Sequence, residues 1–245
     1  LGGTASGIFT VAGAAVNATW GGADGTTTRT LTYTIASGQN GQAAINETAL
    51  KSALVAGITD TSGNAFAYSG DIPNIDSTAL PVIDTTAPTV SSVLVEAGDH
   101  AVGDEVTVTI TAANNEAGLT LSSKTFNGQT LSNITDNANG TYTATYTVVE
   151  GDSDVADAAN VTTSLAFTDD AGNTGAATTS VALSGSSIDA NSPGISSITV
   201  ADGTYNVGDD VTVTINAAGN KNGLTLSSGR FNGQTLTESQ ETTPN

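Results

Sequence analysis

One feature constrains this chain more than any other. Residues 84–131 read DTTAPTVSSVLVEAGDHAVGDEVTVTITAANNEAGLTLSSKTFNGQTL, and residues 189–236 read DANSPGISSITVADGTYNVGDDVTVTINAAGNKNGLTLSSGRFNGQTL. The two align without a gap at a spacing of 105 residues, with 29 of 48 positions identical. A fixed period of that size calls for tandem domains rather than one large core. It divides the 245 residues into 1–83, 84–188 and 189–245. The middle segment holds one complete repeat, the last repeats only its front part, and the first corresponds to its back part.

Within the complete repeat the local pattern is that of strands. Val106, Val108, Ile110 and Ala112 alternate with Thr107, Thr109 and Thr111, which predicts a strand with one face buried and one wet. Further strands are expected at 91–96, 119–126, 141–148, 161–167 and 178–183. Asn127-Gly128 and Asn139-Gly140 mark tight turns. Tyr142, Tyr146, Leu165 and Phe167 are core candidates. Short strands at this spacing, with no long helix, predict an all-β chain of tandem immunoglobulin-like β-sandwich domains in an elongated rod. In the first segment Thr28–Ile35 (TRTLTYTI) corresponds to Thr141–Val148 (TYTATYTV), after an Asp24-Gly25 turn, and 59–64 (TDTSGN) corresponds to 168–173 (TDDAGN). Residues 46–56 have a capping Asn and two leucines four apart, which predicts a short helix between strands. Residues 73–81 are an insertion relative to the middle repeat. Trp20 is assigned to the core.

Composition narrows the chemistry. Asp and Glu number 24 against 5 Lys and Arg, for a net charge of −19. Phosphates would be repelled, which argues against nucleic acid. Aromatic residues are 4% and cysteine is absent, so each core is thin and has no disulfide to staple it. Thin cores call for another staple, and bound cations suit an acidic chain, although acidity also keeps a long polymer soluble. No apolar stretch is long enough to span a bilayer. The only histidine, His100, stands where the next repeat has Tyr205, so it offers no repeated catalytic group. No serine has a suggested His and acid partner, and the chain reads as non-enzymatic. Five Asn-X-Ser/Thr sequons, at Asn17, Asn46, Asn133, Asn139 and Asn160, are what a Thr-rich chain supplies by chance.

The acidic residues gather at the two ends of the expected sandwich. One end is predicted to collect Asp84, Asp169, Asp170 and Asn173 with Asn115 or Glu116. The other collects Asp99, Asp152 and Asp154, with Glu96, Asp104 and Asp157, against the next linker at Asp189. Carboxylate, amide and carbonyl oxygens of this kind suit calcium, which takes about six to eight such ligands. Asp and Asn also favour turns on their own account, so both readings stand at this point.

The head DTTAP at 84–88, followed by DDAGN at 169–173, resembles the tandem bacterial immunoglobulin-like domains of giant calcium-dependent repeat adhesins and biofilm-associated surface proteins. The resemblance implies a secreted or surface-anchored rod with Ca2+ at its domain joints, and ligands at Asp84, Asp169 and Asp170, with Asp60 and Asp189 in the neighbouring copies. The chain departs from this pattern at Thr61, where the middle repeat has Asp170, and at DANSP, where it has DTTAP. The function expected is an extender region of an extracellular adhesin or fibre, with neighbouring Ig-like domains of the same or adjacent chains as partners. Two alternatives are a filament subunit joined by complementation of incomplete domains, and a module binding a glycan or protein. The partial end segments accord with a piece of a longer repeat protein or with exchange of domain halves.

Overall fold

The computed structural model describes residues 4–23, 25–67, 80–218 and 223–237. Asp24 of the expected Asp-Gly turn and residues 73–79 of the insertion lie outside the described residues.

The chain opens with a hairpin of β1 (Thr4–Val11) and β2 (Ala14–Gly21). Its two-residue turn has Ala12 at φ 49° and Gly13 at φ 81°, the left-handed pair whose twist matches that of the strands. β3 (Thr30–Thr32), β4 (Gly41–Ile45) and β5 (Val82–Ile83) complete a sheet of order β3-β2-β1-β4-β5. Its core is small: Val11, Val16, Ala43 and Ile83, with Phe9 and Tyr33 packed alongside. The expected helix is present as α1 (Glu47–Gly57), and the Asn46 side chain accepts from the Ala49 N–H at 3.1 Å. The strand expected over 28–35 contracts to β3. Trp20 is only half-buried, opposite Leu31 on β3, and lies outside the core.

The middle segment is a two-sheet sandwich. Its strands are β6 (Val90–Val95), β7 (Gly98–Ala101), β8 (Glu105–Ala112), β9 (Thr120–Phe126), β10 (Gln129–Thr130), β11 (Ser132–Asp136), β12 (Thr141–Thr147), β13 (Asn160–Thr168), β14 (Thr178–Ala182) and β15 (Ser186–Asp189). One sheet has the order β11-β12-β8-β6 and the other β10-β9-β13-β14. The alternation in β8 does what its pattern predicts: Val106, Val108 and Ile110 are 0% exposed, and the threonines between them face outward. They meet Tyr142 and Tyr146 from β12, and Leu121, Phe126, Leu165 and Phe167 from the opposite sheet. Two tilted ring pairs span the sandwich, Phe126–Tyr146 at 5.1 Å and Tyr142–Phe167 at 4.6 Å between centroids. Such pairs add to plain area burial.

Four strands of this domain have no counterpart in the sequence expectation: β10 and β11, which follow the Asn127-Gly128 turn, and β7 and β15. β7 and β15 pair in parallel, Ser186 with Gly98 through Asp189 with Ala101. β15 lies in what reads as the linker, yet Ser186, Ile188 and Ala190 are buried and the last two belong to the domain core. The domain therefore extends to Ala190.

The last segment repeats the front of the sandwich. β16 (Ile195–Val200) pairs with β17 (Val213–Ala217), and β18 (Arg230–Phe231) with β19 (Gln234–Thr235). The β18–β19 register, Phe231 with Gln234 and Arg230 with Thr235, is that of β9–β10, Phe126 with Gln129 and Thr125 with Thr130. The packing differs. Val95 and Phe126 are 5% and 0% exposed, whereas Val200 and Phe231 at the same repeat positions are 40% and 42% exposed.

Candidate functional site

The acidic loops at the domain ends are the candidate site, and the first of them is a self-contained turn. Asp169 Oδ1 accepts from the Asn173 N–H at 2.8 Å and Oδ2 from Asn173 Nδ2 at 2.9 Å. The backbone closes the same loop, Asp169 N to Asn173 O and Gly172 N to Asp169 O, both at 3.1 Å. Gly172 sits at φ 90°, where an L side chain is strained. Asp60 and Asn64 repeat this set, with Asn64 N to Asp60 Oδ1 at 2.8 Å, Asn64 Nδ2 to Oδ2 at 2.7 Å, and Gly63 at φ 87°. In both loops the amide of the asparagine side chain is the main cause that holds the aspartate below the usual carboxylate range, with backbone N–H groups adding to it. The loops agree although one has Thr61 and the other the exposed Asp170. The turn therefore does not need a second carboxylate.

The two motifs paired in the sequence do meet. Asn173 Nδ2 also donates to the Asp84 carbonyl at 3.1 Å, so the DDAGN loop holds the head of its own domain. The Asp84 carboxylate accepts from the Thr86 N–H at 2.9 Å, and Asp189 accepts from the Asn191 N–H at 3.1 Å in the next copy. These are short aspartate turns, made locally. From the other side Asn40 Oδ1 accepts from Thr85 N at 2.6 Å, and Thr85 Oγ1 accepts from Gly38 N at 3.0 Å. The link at 84–86 is thus fastened to both flanking units. Glu116 does not join it: its carbonyl accepts from Tyr142 Oη at 3.1 Å, and its side chain is exposed.

The opposite end clamps the following linker. Asp157 accepts from the Gly185 N–H at 2.8 Å and Asp99 from Ser187 Oγ at 2.6 Å. Asp154 accepts from Ala190 N at 2.8 Å and Asn191 Nδ2 at 2.7 Å, and both oxygens of Glu150 accept from Ser192 N. Four carboxylates therefore line 185–192, each against an N–H or O–H donor. Charge-assisted bonds of this kind are stronger than neutral ones. Glu150 is not among the residues singled out in the sequence; its place beside Asp152 and Asp154 was the only hint.

Asp152 points inward instead. It accepts from Tyr146 Oη at 2.8 Å, Gln129 Nε2 at 2.6 Å and Val149 N at 3.0 Å. Burial pushes its carboxyl up, but these three donors outweigh that and hold it below the usual range. Burial pushes the Tyr146 phenol well up, and the Asp152 charge adds to it. His100 is also structural: its Nε2 lies 3.0 Å from the Glu96 carbonyl, and Tyr205 Oη donates to Ala201 O at 2.8 Å at the same repeat position.

The oxygens at both ends are of the kind that binds hard cations. Among the described residues, however, no three Asp, Glu or His side chains stand close enough to share one ion. The Asp169 loop reaches the Asp84 carbonyl through Asn173, Asp60 stays within its own turn and Asp189 is bonded to Asn191, and Asp152 accepts from the half-buried Gln129 and the buried Tyr146. The first unit holds a cavity of about 220 Å³ lined by Val11, Ala12, Ala14, Val16 and Gly38–Asn40. That is below the roughly 300–1,000 Å³ of typical small-molecule pockets. Among the described residues no helix is long and apolar enough to cross a membrane.

A search of the curated proteins finds no match to the chain, and a search of the solved structures finds none either. Residues 84–184 match the family model of the bacterial Ig-like domain.

Proposed function

We propose that this chain is part of a structural spacer in an extracellular bacterial adhesin or surface fibre, working by reach and by the stiffness of its joints. Bacterial Ig-like domains are typically structural modules of the cell surface and extracellular space. The observation that supports the reading most is the treatment of the links. Residues 185–192 are held by Asp157, Asp99, Asp154 and Glu150, with Ile188 and Ala190 in the core. A flexible tether has no use for such anchoring.

Calcium at the joints is a second form of this proposal. The meeting of Asp84 with the Asp169–Asn173 loop favours it, with the exposed Asp170 beside them. To build a coordination shell, those carboxylates must leave their N–H donors. Amide hydrogen exchange at Gly185, Ala190 and Ser192, and at Thr86 and Asn173 beside Asp84 and Asp169, run in excess calcium, in magnesium and in chelator, tests both forms. Protection in all three solutions supports joints fastened by hydrogen bonds. Protection lost only in calcium, at the N–H groups that the carboxylates would leave for the ion, supports the metal. Exchange at the rate of an unstructured chain in every solution overturns the spacer reading.

A further inference from the structure

We propose that the residue after each linker aspartate, Thr85 or Ala190, is the key that seats the link, and that the loop receiving it, 36–40 or 149–154, reads hydrogen-bond positions, which an amide satisfies in place of a carboxylate. Asn40 and Asp154 are then positioning residues with one role at two joints. The inference rests on the reading of the chain as a stiff-jointed spacer.

The two loops share one frame. Loop 149–154 follows the segment 141–148, and loop 36–40 follows the matching segment 28–35. Val149 N donates to Asp152 Oδ2 at 3.0 Å, and Ala36 N to Gln39 Oε1 at 2.7 Å. The backbone closes both turns, Asp152 N to Val149 O at 3.0 Å and Gln39 N to Ala36 O at 3.3 Å. Gly151 and Gly38 take the left-handed place in them, at φ 87° and 85°. Asp152 also ties its loop to the sandwich through Tyr146 and Gln129, and Asn127 Nδ2 donates to Ser153 O at 2.9 Å. The loop is thus shaped from the domain side.

Each loop then grips the key residue twice. Asp154 Oδ1 accepts from Ala190 N at 2.8 Å, as Asn40 Oδ1 accepts from Thr85 N at 2.6 Å. The same oxygen takes a second donor in each, Asn191 Nδ2 at 2.7 Å on Asp154 and Thr85 Oγ1 at 3.3 Å on Asn40. One acceptor oxygen therefore carries the grip, and an amide has one to offer. The glycine supplies the other contact. Gly151 N donates to the Ala190 carbonyl at 2.8 Å, and Gly38 N to Thr85 Oγ1 at 3.0 Å. The longer loop, with Ser153 as its extra residue, takes a backbone carbonyl. The shorter takes a hydroxyl. The key and the loop are matched: Ala190 is buried against the longer loop, and Thr85 brings its own oxygen to the shorter. Asp154 and Asn40, like Asp152 and Gln39, differ in charge and agree in what they hold.

Amide hydrogen exchange on the full chain tests this, in chelator and again in excess calcium. Ala190 reports one joint, Thr85 and Gly38 the other, and the amides of β8 and β12 report the sandwich itself. Asp154→Asn should keep protection at Ala190 within about twofold of the parent. Asp154→Ala should lower it about threefold to tenfold, the factor set by one lost hydrogen bond. Thr85→Ser should leave Gly38 protected, and Thr85→Val should lower its protection by a similar factor. Protection in β8 and β12 should hold in all four variants. An Asp154→Asn chain that loses as much as Asp154→Ala overturns the proposal, because the grip then needs the charge. So does a Thr85→Val chain in which Gly38 stays protected. These two results, with the parent's joints protected, leave the spacer reading standing. Joint amides of the parent that exchange at the rate of an unstructured chain overturn both.

Discussion

Phe126 and Phe231 occupy the same position in two copies of one sequence, FNGQTL in both, and they test the packing argument directly. Phe126 is 0% exposed and packs on Tyr146, whereas Phe231 is 42% exposed. Truncating a fully buried phenylalanine removes its transfer free energy and leaves a cavity, about 3–5 kcal/mol in all. For a domain of this size that lowers the melting temperature by roughly 12–40 °C, at about 4–8 °C per kcal/mol. Phe231→Ala, made in dilute protein where chains do not meet, removes little buried contact and should cost about 0.5 kcal/mol or less. Differential scanning calorimetry of the two variants beside the parent measures both. If Phe231→Ala shifts the main transition as far as Phe126→Ala, the last segment has a core of its own and the reasoning from exposure fails. If Phe126→Ala costs under about 1 kcal/mol, the sandwich is not the cooperative unit.

Two further outcomes follow from the loops. Asp60, Asp169 and Asp152 all have folded-state pKa values lowered from the ordinary carboxylate. Their contribution is therefore complete above the unfolded value, about pH 4, and is lost as pH falls through the lower folded value. Melting temperature should hold from neutral pH down to about pH 4 and fall below it, and a flat profile into strong acid would refute the assignment. Gly175 lies where an added methyl would overlap the backbone carbonyl of Pro88, so no side chain can move aside. Gly175→Ala should destabilise the middle domain by about 1–3 kcal/mol, read as a lowered urea midpoint; an unchanged midpoint would show that the DTTAP head does not pack there.

The sandwich was legible because its signals are local. Strict alternation in β8 fixes which side chains are buried, and Asn127-Gly128 fixes the turn after β9. The helix was legible from Asn46 and its leucines. β7 and β15 were not, since a parallel pair joining residues far apart leaves no local mark, and GDHA and SSID show no apolar alternation beyond Ile188. β1 and β2 were missed although Ala12-Gly13 lies between alternating Val11 and Val16; the bulge between Ser6 and Phe9 breaks the period that would have revealed them. At the site, the pairing of the 84–88 head with the 169–173 loop was legible. What the oxygens do there was not, because an aspartate that accepts N–H bonds and one that holds a cation are written alike.

The parallel pairing of β15 with β7 has a mechanical consequence. The strand leads directly from the domain into the following unit, so tension applied there is directed along β15. A strand drawn along its length against a fixed neighbour loads its cross-links together, in shear, and none can open alone. A hairpin pulled apart at its ends would instead lose them one after another. The join at Ser186–Asp189 is therefore built to yield late when the chain is stretched, and the rupture force of that join should exceed that of the β1–β2 hairpin.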